Sequence, residues 1–227
     1  AWRRIASKRS NAWSIRNSGW KRFGGSRSRI SPRLLLSTIR VTTSSRISDS
    51  GRANKVSVLP DVLRPGLTTV FCGSAAGSAS ARSGAYYANP GNRFWQTLFE
   101  VGLTPHQFEP RHFQELPTLG IGLTDLAKQE AGMDVELSSN AYDSASLVQK
   151  IENSTPSLLA FTGKRPAGIF LLETIGATIA DYGDQQVRIG QTQIFVLPSP
   201  SGAARRWWSL DPWIKLAEEH RKERENG

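Results

Sequence analysis

Asp125 lies in a short apolar run, Leu119 to Leu126, that also carries two glycines. A partly buried carboxylate in such a run can orient a water molecule or stabilise a neighbouring cation, and a capping or hydrogen-bonded structural role is the alternative. Asn89 and Asn92 flank Pro90-Gly91. Either amide can hold a small polar ligand, or can be an ordinary turn or cap residue. Tyr86-Tyr87 offers a face on which a planar ring can stack, worth about 1–3 kcal/mol where it is used. Both tyrosines read equally as core residues.

Two stretches of small residues accompany these groups. Gly73, Ser74, Ala75, Ala76 and Gly77 follow the apolar run Leu67 to Cys72. A loop made only of small residues lets its backbone approach a flat ligand and present N–H groups, although many plain turns look the same. It lacks the Gly-Lys-Ser/Thr ending of a phosphate-binding loop. The second stretch is Leu197-Pro198-Ser199-Pro200-Ser201-Gly202-Ala203-Ala204-Arg205, followed by Arg206, Trp207 and Trp208. Small groups beside arginines suit insertion into a base stack while Arg holds phosphate. A plain strand-to-helix connection is the other reading, with both tryptophans packed on the body.

The elements that must position these residues have readable signatures. Leu67 to Cys72 reads as a buried strand after the Pro65-Gly66 turn. Asn92 to Val101 places Phe94, Trp95, Leu98 and Phe99 at helical spacing. Asp143 can cap a helix carrying Leu147, Val148 and Ile151. Ser157 to Phe161 is a second strand, and Arg188 to Val196 supplies closing strands. Asp211-Pro212 starts a last helix with Trp213, Leu216, Ala217 and His220 on one stripe. Strands alternating with helices imply an α/β domain with a mainly parallel sheet. Ligands of such sheets sit at the carboxyl ends of the strands, where both small-residue stretches fall.

Composition bounds the rest. The formal charge is +10, but residues 1–54 hold 13 Lys/Arg against one acid, Asp49, whereas the remainder holds 16 against 18. The basic character therefore belongs to the N-terminal segment, and a nearly neutral body binds a polyanion only through a local patch. Residues 1–55 read as a basic extension and 56–227 as the folded domain. Three readings of the extension compete: a disordered basic arm, a removed transit segment, or sequence that is not native protein, since the one methionine is Met133. Cys72 stands alone, which excludes an internal disulfide and a four-cysteine cluster. His106, His112 and His220 show no ligand spacing, so no metal is expected. No run of about 18 apolar residues indicates a membrane span. A reducing, cytoplasmic-type compartment and a monomer are the defaults.

Four segments in order resemble the mismatch-specific uracil/thymine DNA glycosylase family of the uracil-DNA glycosylase superfamily. They are Val-Phe-Cys-Gly (70–73), Asn-Arg-Phe-Trp (92–95), Gly-Ile-Gly-Leu-Thr-Asp (120–125) and Leu-Pro-Ser-Pro-Ser-Gly (197–202). The resemblance spans about residues 59–222. It implies a three-layer α/β/α fold, DNA containing uracil or another deaminated base as partner, base flipping, and hydrolysis of the N-glycosidic bond without a cofactor. It further implies that Gly73–Gly77 and Ser199 contact the base, that Tyr87 stacks on it, and that Ser201, Gly202, Ala203 and Arg205 form the wedge filling the vacated stack. Two departures matter. The family's first segment reads Gly-Ile-Asn-Pro-Gly, whose Asn positions the attacking water, and Ala75 stands there instead. Ser199 stands where Asn or His is usual. The Tyr-Tyr-Ala-Asn-Pro stretch (86–90) is similar to the hypoxanthine-DNA glycosylase branch, in which an Asn of this segment is implicated. Asp125, Asn92 and Asn89 are therefore the catalytic candidates.

Overall fold

The computed structural model describes residues 57–226. The basic extension expected over 1–55 lies outside the described residues. Five strands form one sheet in the order β2-β1-β3-β5-β4. They are β1 (Thr69–Ala76), β2 (Ile121–Ala131), β3 (Leu158–Phe161), β4 (Gly183–Ile189) and β5 (Thr192–Val196). The β1–β2, β1–β3 and β3–β5 pairs are parallel; only the β4–β5 hairpin, turning at Gly190 (φ 59°), is antiparallel. The mainly parallel sheet expected from sequence is present.

Alternation along each strand sends side chains to two separate cores. Phe71, Leu123, Leu158 and Phe195 pack against α2 (Phe94–Glu100) and α5 (Asp211–Asn226). Val70, Cys72, Leu159 and Val196 pack against α3 (Ser144–Ser154) and α4 (Lys164–Ile175). The three-layer α/β/α expectation is thereby met. Asp143 caps α3 as its position suggests, its carboxylate accepting from Ser146 N–H at 2.9 Å. On α5 the buried stripe is Trp213, Leu216, Ala217 and His220. His220 Nδ1 sits 2.8 Å from Thr69 Oγ1 on β1, tying this helix to the central strand.

One boundary differs in a way that changes the site. The first strand does not stop at Cys72: Gly73, Ser74, Ala75 and Ala76 continue it, paired with β2 as far as Ala75 opposite Ala127, before the register shifts. Small residues have weak strand preference, but an established parallel ladder on one side outweighs it. β2 itself runs to Ala131, well past the apolar run ending at Leu126, because it follows β1 outward. Gly77 then leads into the short helix α1 (Ser78–Ser83). Among the described residues, no helix is long and apolar enough to cross a membrane.

Candidate active site

A cleft of about 890 Å³ opens at the carboxyl ends of β1, β2 and β3. β1 has β2 on one side and β3 on the other, so the chain direction across the sheet reverses here, where ligands of parallel sheets lie. All five residues from Gly73 to Gly77 line the cleft, together with Asp125 and Tyr87. Asn89 and Asn92 form part of another wall, and Ser199, Ser201, Gly202 and Ala203 a third. Residues more than 120 positions apart are thus gathered around one space. Arg205 is the exception: it is exposed and does not line the cleft.

The floor is a convergence of three oxygens over Gly73. A Cβ on that residue would lie 2.7 Å from Asp125 Oδ1, 3.6 Å from Tyr87 Oη and 3.8 Å from Thr162 Oγ1. Gly73 and Asp125 are register partners across β1 and β2, so the carboxylate leans over a residue that has no side chain to obstruct it. Asp125 is only 5% exposed. Burial raises its pKa to about 6, against the lowering pull of Lys128 and Lys150, while Asp61 adds a further push upward.

Behind Asp125 lies a chain of charges. Lys128 Nζ stands 3.8 Å from Asp125 Oδ2 and 3.0 Å from Asp61 Oδ1, and it donates to Tyr86 Oη at 2.8 Å. Lys150 of α3 reaches Asp61 Oδ2 at 2.8 Å, and Thr124 Oγ1 donates to Asp61 Oδ1 at 2.7 Å. Burial opposes ionisation of Asp61, but the two lysines and Thr124 outweigh it and hold its carboxyl below the ordinary range.

The two tyrosines divide. Tyr86 is a core residue, its hydroxyl donating to Pro60 O at 3.1 Å. Tyr87 takes a left-handed backbone (φ 52°), stacks one face on Phe94 at 3.8 Å between centroids, and meets Thr162 Oγ1 at 3.2 Å through its hydroxyl. Phe94 thus braces the ring that borders the cleft. Burial, followed by the negative charge of Asp125, raises the pKa of its phenol.

Asn89 and Asn92 both use their side-chain oxygens locally. Asn89 Oδ1 accepts from Gly91 N–H at 3.0 Å, and Asn92 Oδ1 accepts from Phe94 N–H at 2.9 Å at the start of α2. These are turn and cap roles. The turn they build braces the last small-residue segment, because Arg93 N–H donates to Pro200 O at 2.9 Å. A Cβ on Gly202 would come within 3.1 Å of Gly91 O. Ser199 Oγ accepts from Ser201 N–H at 3.3 Å, and Ser201 Oγ from Ala203 N–H at 3.4 Å.

The reading in which both tryptophans pack on the body holds for Trp208 and not for Trp207. Trp208 packs near Trp213 at 6.0 Å, with the Arg93 guanidinium over its ring. Trp207 lines the cleft, is 64% exposed, and carries the Arg206 guanidinium 5.1 Å from its ring centre. Lys128, Asp61 and Thr162 carry no signal in the sequence that marks them as site residues. Thr162 directly follows the second strand, which is the one local hint. Among the described residues no group of His, Cys, Asp and Glu could hold a metal.

The family profile described as the uracil DNA glycosylase superfamily matches residues 60–219. Among solved structures, the chain is similar to a solution NMR structure of a protein from Methanosarcina acetivorans, provisionally assigned as a uracil DNA glycosylase. The identity is 26%, coverage is 72% of this chain and 98% of the archaeal one, and the TM-score is 0.48. The match to the family profile takes in the whole sheet, the cleft and most of α5, and on it the chain belongs to the uracil DNA glycosylase superfamily.

Proposed function

We propose that the protein is a monofunctional DNA glycosylase that flips uracil, or a related deaminated base, into the cleft and hydrolyses its N-glycosidic bond. The observation that carries this reading is the buried carboxylate of Asp125 above Gly73, at the floor of the cleft. Ala75 cannot orient a water molecule, and both candidate asparagines spend their side-chain oxygens on turns. Asp125 is the group left with both the chemistry and the position. At neutral pH it is mostly ionised, as a water-holding base must be.

In the reaction the bond from C1′ of the sugar to the base nitrogen breaks, and the base keeps the electron pair. Water bonds to C1′ and gives its proton to the Asp125 carboxylate. The departing base is an anion, and N–H groups aimed at its oxygen lower the barrier. Thr162 N–H still donates to Cys72 O at 2.9 Å, but β3 has ended there. Strand alternation turns Ser74 N–H to the same side, with no backbone acceptor opposite it among the described residues. Ser74 N–H is therefore the donor best suited to the leaving base. Tyr87 stacks on the flipped ring, and Ser201, Gly202 and Ala203 enter the vacated stack with Arg205 on phosphate.

Ala75 and Ser199 favour a second reading, in which the protein binds damaged bases without cutting them. A uracil-containing oligonucleotide, single-stranded and as a G·U duplex, is incubated with the protein and then treated with alkali. Strand breakage lost on Asp125→Asn supports the glycosylase. Intact strands in every pairing context, with retained binding, leave the binding protein.

A further inference from the structure

The chain of charges behind Asp125 places a lysine of β2 among buried groups. The Lys128 side chain is 10% exposed, and a buried ammonium persists only where partners replace its water. It has three: Asp61 at 3.0 Å, Tyr86 Oη at 2.8 Å and Asp125 at 3.8 Å. The two carboxylates are not equivalent. Asp61 is also held by Lys150 and Thr124, so it anchors the ammonium, whereas the nearest cation to Asp125 is Lys128 itself. Asp61 comes from the segment ahead of β1, docked on β2 by the Val62–Leu123 bridge.

We propose that Lys128 is the positioning residue of this site: anchored by Asp61 and Tyr86, its ammonium holds Asp125 ionised and aimed over Gly73. This rests on the reading of Asp125 as the water-holding group. The charged and titratable neighbours of that carboxylate are Lys128 on β2, Asp61 before β1, Lys150 on α3, Cys72 on β1, and Tyr86 and Tyr87 between α1 and α2. Only the two lysines favour the ionised form, and Lys150 lies beyond Asp61.

Two substitutions then push in opposite directions. Lys128→Met removes the nearest cation, so Asp125 keeps its proton to higher pH and the acid limb of kcat/KM moves up by about one pH unit. Asp61→Asn removes a neighbouring anion and frees both lysines to serve Asp125, so the limb moves down. A residue that merely supports the fold does not produce opposite shifts.

The experiment records the kcat/KM profile on uracil-containing single strands from pH 4.5 to 9 for the full chain and both variants. In parallel, the Asp125 carboxyl carbon is titrated by NMR, a readout independent of turnover. Opposite shifts in the titration establish the proposal. An unmoved titration in both variants, or shifts of the same sign, overturns it. If Lys128→Met does not fold, the sign of the Asp61→Asn shift decides alone. A wild-type protein that titrates as described but releases no base refutes the glycosylase reading and leaves the Lys128–Asp125 coupling standing.

Discussion

Gly73 and Asp125 face each other across β1 and β2, and the carboxylate occupies the space in which a side chain on residue 73 would begin. The absence of a Cβ at one position is what gives the carboxylate at the other its place. The fold and the site meet at this contact.

Gly73→Ala tests the contact directly. The Cβ would meet Asp125 Oδ1 at 2.7 Å and force the carboxylate aside, while Gly73 needs no left-handed backbone, so the strand tolerates alanine. A displaced reacting group costs on the order of 100-fold in rate. Base release from uracil-containing DNA falls by about that factor, with the melting temperature little changed. Full activity in this variant would show that Asp125 does not act from its present position.

Asp125→Asn separates function from stability. The folded pKa of about 6 lies above the unfolded value, so the folded state holds more protons between these values, and this group's contribution declines as pH rises through that window. Above pH 6 the buried charge is a net cost, roughly 1.4 kcal/mol for each pH unit separating the folded and unfolded values, with the pull of Lys128 already contained in the folded value. Asn removes that cost. Single-turnover rates fall by about 10²–10⁴-fold, while urea unfolding at pH 7.5 shows stability equal to or above wild type. A loss of stability at pH 7.5 would count against the raised pKa.

Trp207 forms an exposed aromatic platform on the cleft next to the segment proposed to enter DNA. Stacking of one base is worth about 1–3 kcal/mol. Trp207→Ala therefore weakens binding to a single-stranded uracil oligonucleotide by about 5- to 150-fold in fluorescence anisotropy. Arg205→Ala, by contrast, lowers affinity uniformly across sequences and flattens the salt dependence, as loss of one phosphate contact does.

His220 sets an acid limit on the fold. It is 3% exposed and pairs with Thr69, and burial, reinforced by Arg224, lowers its pKa to about 4. A depressed histidine leaves the unfolded chain binding more protons between pH 6.5 and 4. Its contribution is complete above the unfolded value and disappears as pH falls through that window. The loss reaches up to about 3 kcal/mol. His220→Gln flattens the decline in melting temperature between pH 6.5 and 4.5; an unchanged slope would point to another group.

Much of this molecule is legible along the chain. The helix over α2, the Asp143 cap, the buried stripe of α5 and the alternation of strands and helices are local patterns, carried by residues within a few positions of one another. Asp125 stands out for the same reason, as a lone carboxylate in an apolar run. What tertiary structure alone decided is the setting of that carboxylate. Gly73 to Ala76 form strand because β2 pairs with them, and the turn that carries Asn89 and Asn92 meets the segment around Pro200 through Arg93 N–H. Lys128 meets Asp61 and Tyr86 across more than 40 positions. Contacts between side chains so far apart leave no periodicity, spacing or local preference to read, so the chain marks the carboxylate and only its folding selects the charges around it.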